Sequence, residues 1–190
     1  MNQLWQMWTS SIDNSEISSI ITKCERNTIE HSAKTGFAEA STETPFRSSK
    51  IGWVDRNNPD NKSIVDMLWR YCIEANRNAY GFDVNYISEI QYTKYYGNSN
   101  DKYDWHIDTF WANRTSYDRK LSIIVQLSDP AEYEGGKFEF DPEIPQPIAT
   151  DLQKKGTVLV FPSFLRHRVT PVTSGLRKSL VSWIEGPKFR

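Results

Sequence analysis

The stretch KYDWHID at residues 102–108 is interpreted as part of a β-strand over residues 103–110, and it places His106 two residues before Asp108. On a strand, residues i and i+2 point to the same face, so one imidazole and one carboxylate would project together. The chain has three histidines, and His167 lies on a later predicted strand, where it could supply a third ligand. The stretch therefore predicts paired metal-binding side chains on one face of a sheet.

Two histidines and one carboxylate on one face of an octahedral metal leave three positions open, which is the arrangement of oxygen-activating Fe(II) enzymes. Imidazole and carboxylate suit Fe(II), and the open positions suit a bidentate co-substrate and dioxygen. A His-x-Asp pair also occurs in chains that bind no metal, where the histidine is a structural or surface residue. The interpretation therefore depends on the residues around the pair.

The chain after Gly81 is a series of short β-like runs separated by turn residues. Turns are marked by Gly135 with Gly136 and by Gly156. The predicted strands cover residues 84–96, 103–110, 121–127, 137–140, 157–161, 166–171 and 178–184. This pattern predicts a mainly β protein with flanking helices (α+β), as a double-stranded β-helix, that is, a jelly roll of the cupin-like kind.

Two helices are predicted before Gly81 and are expected to pack on one sheet. The first follows a capping pattern at 13–16 and carries Ile17, Ile20, Ile21 and Cys24 at helical spacing. The second begins near 61–63, ends near Gly81, and carries an apolar face made of Ile64, Met67, Leu68, Tyr71, Cys72 and Ala75. A polar stretch at 35–45 is predicted to be a loop. We expect a single domain over 1–190, with a helical supporting segment at 1–82 and a jelly-roll core at 83–190 that carries the site.

The composition argues against several classes of protein. The formal charge is −1, from 23 basic and 24 acidic residues, so nucleic acid and anionic membranes are not expected as partners. Cys24 and Cys72 form neither a disulfide framework nor a Cys-x-x-Cys zinc motif. The start of the chain lacks a secretory pattern, and no stretch is apolar enough to span a bilayer. A cytoplasmic location is therefore expected, and the oligomeric state stays open.

Arg177 stands at the start of the last predicted strand, shortly after His167. A guanidinium can bind a carboxylate through two parallel hydrogen bonds, as the distal carboxylate of 2-oxoglutarate would require. The alternative is an arginine on the surface of the turn at 175–178.

The C-terminal half resembles the 2-oxoglutarate/Fe(II) dioxygenases, specifically the prolyl 4-hydroxylase and PKHD-type hydroxylase group. The resemblance spans about residues 89–187 and keeps the order and spacing of the family's motifs. Its segments are IQYTKY at 90–95, KYDWHID at 102–108, LSDP at 127–130, YEGGKF at 133–138, KGTVLVFP at 155–162, HRVTPV at 167–172 and GLR at 175–177.

The resemblance implies a catalytic set for this chain: His106, Asp108 and His167 as iron ligands, with Arg177 as the anchor of the distal carboxylate of 2-oxoglutarate. Many collagen-type relatives carry lysine at the position of Arg177. The co-substrate pocket would also include Tyr95, Ser122 and Trp183. The spacing before His106 leaves Tyr92 and Tyr96 as alternatives to Tyr95, and packing in the strand or core is an alternative role for Tyr95 and Trp183.

The segment Arg47-Ser48-Ser49, with Trp53, is similar to an Arg-Thr-Ser-Ser segment that lies beside the substrate peptide in prolyl 4-hydroxylases. The resemblance therefore implies substrate contacts at Arg47, Trp53, Tyr103 and Trp183. It also implies Fe(II) as metal, 2-oxoglutarate and O2 as co-substrates, and ascorbate as a candidate reductant. The expected reaction is hydroxylation of an unactivated C–H bond, with a prolyl residue of a peptide or protein as preferred substrate and with release of succinate and CO2.

Three other functions stay open. One is hydroxylation of a small molecule or free amino acid. Another is repair of alkylated nucleic-acid bases, although such relatives usually carry a second arginine where this chain has Trp183, and the near-neutral charge argues against it. The third is a metal-binding jelly roll without oxygenase activity, either a zinc-type isomerase or an inert binding module, which would not need Arg177 at its position.

Overall fold

The computed structural model describes residues 3–33, 46–109, 111 and 115–189. The loop predicted at 35–45 lies outside these residues, as does Phe110 at the end of one predicted strand. No helix among the described residues has both the length and the apolar composition needed to cross a membrane.

Helix α1 spans Asn14–Asn27, and its start follows from the capping pattern of the sequence. The Glu16 backbone N–H donates a hydrogen bond to the Asp13 side chain at 2.8 Å, which satisfies one of the amide groups that a helix leaves unpaired at its start. The apolar face of the helix is buried at Ile17, Ile20 and Cys24. The first predicted helix is therefore confirmed.

Helix α2 spans Lys62–Ala75 and follows a 3-10 turn at Pro59–Asn61. It continues as one π-helical turn at Asn76–Tyr80 and ends at Gly81, whose φ of 64° is in the left-handed region that glycine adopts without a Cβ clash. All six predicted face residues are buried: Ile64, Met67, Leu68, Tyr71, Cys72 and Ala75. The second predicted helix is confirmed at both ends.

The described residues form twelve strands and one further short helix, α3, at Ala149–Leu152. The strands are β1 (Gln6–Trp8), β2 (His31–Ser32), β3 (Arg47–Ser48), β4 (Lys50–Trp53), β5 (Tyr86–Tyr96), β6 (Lys102–His106), β7 (Tyr117–Gln126), β8 (Tyr133–Gly135), β9 (Phe138–Phe140), β10 (Val158–Pro162), β11 (His167–Val169) and β12 (Val172–Pro187). Every strand predicted after Gly81 is present, although β6 ends four residues before its predicted end and β12 begins six residues before its predicted start. Strands β1–β4 and β8 were not predicted. Strands β1–β4 lie in the segment 1–82, where only helices were expected, and β8 includes Gly135, which was expected to mark a turn.

The strands form two antiparallel sheets. The larger sheet has the order β1-β10-β7-β12-β5-β4-β2, and β8 pairs with the beginning of β12. The smaller sheet has the order β3-β6-β11-β9. The predicted jelly-roll fold with flanking helices is therefore confirmed.

The larger sheet is covered on both faces, and the alternation of side chains along β7 shows how. Ile123 and Val125 pack with the buried residues of α1 and α2 in one cluster. Ile124 points the other way, into a second cluster that includes Phe138 and Phe140 of the smaller sheet. The helices thus support the outer face of the larger sheet, and the space between the two sheets is left for the candidate site.

Candidate metal centre and cleft

His106, Asp108 and His167 converge between the sheets. His106 ends β6 and lies directly opposite His167, which begins β11. The Nε2 atom of His106 lies 3.7 Å from Asp108 Oδ1, and that of His167 lies 3.6 Å from Asp108 Oδ2. One ligand atom from each of the three side chains lies within 4.8 Å of the other two, so the group could hold a single metal ion. The structure thus brings together all three residues predicted as metal ligands.

Asp108 reaches this position in a way that strand periodicity did not predict. Strand β6 ends at His106, so Asp108 lies beyond the strand rather than on its face. Its backbone N–H donates to the Ser163 carbonyl at 2.8 Å. Its Oδ2 accepts a hydrogen bond of 2.7 Å from Ser122 Oγ, which also lies 2.9 Å from Ser163 Oγ. The two serines of β7 and the β10–β11 connection therefore fix the carboxylate.

Both imidazoles are oriented by backbone carbonyls. His106 Nδ1 lies 2.7 Å from the Asp104 carbonyl, and His167 Nδ1 lies 2.8 Å from the Leu165 carbonyl. A carbonyl only accepts, so each Nδ1 carries the proton and each Nε2 keeps its lone pair towards the centre. Such contacts hold ligand rings in the tautomer that a metal requires.

The charges at the centre also suit a cation. Burial, together with neighbouring His167, lowers the pKa of His106 to about 3, so this imidazole is neutral at physiological pH. Burial alone would raise the pKa of Asp108, but the two histidines and the hydrogen bond from Ser122 outweigh it and hold that pKa below its ordinary value. The centre therefore offers one negative charge at Asp108 and a neutral nitrogen donor at His106.

Arg177 lies in the same cleft, opposite Tyr95 in the pairing of β12 with β5. Only 4% of the residue is exposed, and its Nε is buried without a hydrogen-bond partner. Its Cζ atom lies 5.5 Å from the centre of the Tyr95 ring. Among the described residues Arg177 forms no ion pair, and a buried guanidinium without one calls for an anionic partner. A dicarboxylate such as 2-oxoglutarate would supply such a group, and the role of Arg177 as its anchor stays a prediction.

The other residues predicted for the co-substrate pocket are close by. Tyr95 and Trp183 line the cleft, and both are buried. The Trp183 Nε1 is buried without a partner, while Arg119 Cζ lies 4.0 Å above its ring. Ser122 is adjacent to the cleft, where its hydroxyl donates to Asp108. The co-substrate roles of these three residues stay predictions.

Of the four residues predicted to contact substrate, Trp53 does not line the cleft, whereas Arg47, Tyr103 and Trp183 do. Trp53 ends β4 with 44% of its surface exposed. The Tyr103 ring stacks on His106 with centroids 3.5 Å apart, and Arg47 Cζ lies 4.2 Å from the same ring. Arg47 and His106 must cover opposite faces of Tyr103, since both lie so close to its centre.

Six lining residues were not predicted, and they are Gln91, Ile124, Phe138, Val169, Ser179 and Val181. Three of them carried a usable signal. Alternate residues of a strand lie on the same face, so Ser179 and Val181 of β12 are expected on the face that carries Arg177 and Trp183. For the same reason, Gln91 of β5 is expected on the face that carries Tyr95, four residues further along that strand.

The two sheets and the His-Asp-His cluster together define a jelly-roll protein with a candidate facial metal site. The sequence profile described as the 2OG-Fe(II) oxygenase superfamily matches residues 90–185, half of the chain, and includes all three candidate ligands and Arg177. The chain belongs to this superfamily, whose description names 2-oxoglutarate and Fe(II).

The chain is also similar to individual relatives. It is 41% identical over 83 residues to a PKHD-type hydroxylase of Synechococcus sp. (strain CC9311). The aligned region covers 44% of this chain and 36% of that protein, so this chain matches only about a third of the relative's length. A Pseudomonas putida prolyl-4-hydroxylase structure has a TM-score of 0.70 and 16% identity, with 98% of this chain and 94% of that chain covered. A Trichoplax adhaerens prolyl hydroxylase, in complex with a peptide fragment of a hypoxia inducible factor, has a TM-score of 0.70 and 15% identity, with 96% and 83% covered. At these identities the two structures support the fold alone.

Proposed function

We propose that the chain is an Fe(II)- and 2-oxoglutarate-dependent dioxygenase that hydroxylates an unactivated C–H bond, with a prolyl residue of a peptide or protein as substrate. The observation that carries the proposal is the convergence of His106, Asp108 and His167 in one cleft with the buried, unpaired Arg177. An inert metal-binding jelly roll has no use for a guanidinium buried at that position.

His106, Asp108 and His167 would hold Fe(II), and Arg177 would bind the distal carboxylate of 2-oxoglutarate. The iron supplies the activation of dioxygen that lets one oxygen atom enter the substrate while 2-oxoglutarate becomes succinate and CO2. The protein's part is geometry and exclusion of water. Aromatic rings pack around His167, with the centroids of Phe138 and Phe161 at 5.3 and 4.9 Å, and they keep bulk water from that side.

The prolyl substrate is supported by the two prolyl hydroxylases of like fold, one of them in complex with a peptide, and by the PKHD-type relatives. The cleft is also lined with side chains that suit an extended peptide, since Tyr103 and Trp183 offer aromatic surface beside polar groups. Ascorbate as reductant and a cytoplasmic location stay predictions.

An anaerobic titration with Fe(II) and 2-oxoglutarate tests the chemistry directly. Chelation of iron by the keto acid gives a weak visible charge-transfer band, which we expect for the wild-type protein and not for His167→Ala. Wild-type protein that is folded and binds metal but shows no band would refute the oxygenase proposal. A pool of proline-containing peptides, assayed for the mass gain of one oxygen atom, then tests the substrate class.

A further inference from the structure

Gln91 lies on β5 in the wall of the cleft, and its side-chain amide is fixed in one orientation. Its Oε1 accepts hydrogen bonds from Arg47 Nη2 at 2.8 Å and from Thr93 Oγ1 at 3.1 Å. A guanidinium only donates, so the oxygen of the amide must face Arg47 and the nitrogen must point elsewhere. Among the described residues, every hydrogen bond of the Gln91 side chain uses Oε1, although only 3% of the residue is exposed. Its two N–H groups are therefore donors left for something in the cleft.

Trp183 provides a second donor of the same kind. Its Nε1 is buried without a partner, and only 6% of the residue is exposed. Gln91 lies opposite Val181 in the pairing of β5 with β12, and Trp183 is two residues further along β12. Such diagonal neighbours have Cα atoms about 7–8 Å apart, so the two donors lie at the same end of the cleft. Both are electrically neutral.

These donors lie beyond the reach of a co-substrate anchored at Arg177. In the pairing of β5 with β12, the pair Gln91–Val181 lies four residues along the strands from the pair Tyr95–Arg177. Four residues of a strand correspond to about 13 Å. Two extended residues have six backbone bonds and span about 7 Å. The five carbons of 2-oxoglutarate are joined by only four bonds, so the co-substrate is shorter than two residues of a strand. The co-substrate would therefore end near the level of Ser179, and the outer donors would be left for the substrate. Of the two contacts predicted for Trp183, this geometry favours the one with substrate over the one with co-substrate.

We infer that Gln91 Nε2 and Trp183 Nε1 donate hydrogen bonds to carbonyl oxygens of the substrate peptide beside the residue that is hydroxylated. The inference rests on the proposed function and makes Gln91 a specificity-determining residue. Neutral N–H donors match neutral amide carbonyls, whereas a carboxylate is bound best by a charged donor such as arginine. Arg47 and Thr93 act through Gln91, because they hold its amide in the orientation that presents Nε2.

The substitution Gln91→Glu isolates this contact. A glutamate keeps an oxygen for Arg47 and Thr93 but loses both N–H groups, so the local fold is preserved while the donor is removed. With the most active peptide of a proline-containing pool, we expect the KM for peptide to rise about tenfold and the half-saturating 2-oxoglutarate concentration to stay within about twofold. Trp183→Phe, which keeps an aromatic ring, should also raise the peptide KM. Gln153→Glu, the same change of charge away from the cleft, should leave both constants unaltered.

A thioamide scan of that peptide completes the test, because a thiocarbonyl is a poor acceptor. Replacing the carbonyl that Gln91 binds should raise the KM of the wild type but not that of Gln91→Glu. Equal sensitivity of both proteins at every position, an unchanged peptide KM, or a raised 2-oxoglutarate requirement in Gln91→Glu would overturn the inference. A wild type that shows the charge-transfer band but oxidises no peptide would also overturn it, while the oxygenase chemistry would stand. A wild type without the band would instead refute the proposed function itself.

Discussion

At the scale of single residues, the centre depends on side chains that never touch the metal. Ser122 and Ser163 hold Asp108, and two backbone carbonyls hold the imidazoles. The donors are thus fixed before any ion arrives, and little conformational entropy has to be lost on binding.

Ser122→Ala should lower the affinity for Fe(II), or for Co(II) as a spectroscopic substitute, by about tenfold to 100-fold. The variant loses the 2.7 Å hydrogen bond that orients Asp108 Oδ2. Metal titrations of wild type and variant measure the change. Ser182→Ala is the matched control, because this buried serine of β12 donates to the Glu89 carbonyl instead. An unchanged affinity in Ser122→Ala would mean that Asp108 is held without Ser122.

Arg177→Ala should raise the half-saturating concentration of 2-oxoglutarate by at least about tenfold, because it removes a charge-assisted hydrogen-bond donor from a buried site. Metal affinity should stay close to that of the wild type, since Arg177 is not a candidate ligand. The charge-transfer band at increasing 2-oxoglutarate measures the first quantity. Arg168→Ala is the control, because Arg168 pairs with Glu139. If both variants respond alike, Arg177 is not the anchor.

At the scale of elements, sequence patterns predicted what is long and periodic. The two helices follow from the Asp13 capping pattern and from apolar residues at helical spacing. Strands β2 and β3 are two residues each, too short for any alternation to show, and they form only because neighbouring strands offer free edges. The position of Asp108 was predicted for a reason that does not hold, because β6 ends before it and long-range hydrogen bonds place it instead.

The site was predictable to the extent that its residues belong to recognisable motifs. The three candidate metal ligands and Arg177 fall within the family's segments, and the structure brings them together in one cleft. Gln91 falls within one of those segments too, but its role depends on contacts with Arg47 that arise only when β3 joins the smaller sheet. Trp53 was expected at the substrate, but it lies outside the cleft at the end of β4, with 44% of its surface exposed.

The turn between β8 and β9 links the backbone to the co-substrate pocket. Gly136 has a φ of 56°, and a Cβ added there would lie 2.9 Å from Arg177 Cδ and 2.7 Å from Val172 Cγ2. Gly136→Ala should therefore lower stability by more than the roughly 1–2 kcal/mol expected for a left-handed alanine, and should also weaken 2-oxoglutarate binding. Thermal unfolding and the charge-transfer titration measure the two effects.

Gly81→Ala separates backbone strain from crowding in that experiment. Gly81 has a similar φ of 64°, but a Cβ added there would meet nothing within 4 Å. We expect this variant to lose stability and to bind 2-oxoglutarate like the wild type. If Gly136→Ala also binds 2-oxoglutarate normally, the turn does not position Arg177.

At the scale of the whole molecule, burying His106 and Asp108 between two sheets makes stability depend on pH. In the metal-free protein the pKa of His106 is lowered to about 3 from its usual 6.5, and that of Asp108 also lies below its ordinary value. The unfolded chain therefore binds more protons than the folded one once the pH falls below 6.5. Stability is full above this pH and decreases as the pH falls towards about 3, by up to about 1.4 kcal/mol per pH unit from His106.

We therefore expect metal-free protein to lose about 2 kcal/mol of unfolding free energy between neutral pH and roughly pH 5. Urea titrations at the two pH values, with a chelator present, measure the loss. His106→Gln should remove most of it, because glutamine does not titrate, whereas His31→Asn should keep it, because His31 is exposed on β2. A His106→Gln protein that loses as much stability as the wild type would place the acid sensitivity elsewhere. The expected result would mean that the fold tolerates the buried His106 at a cost in acid stability, because burial keeps this imidazole neutral.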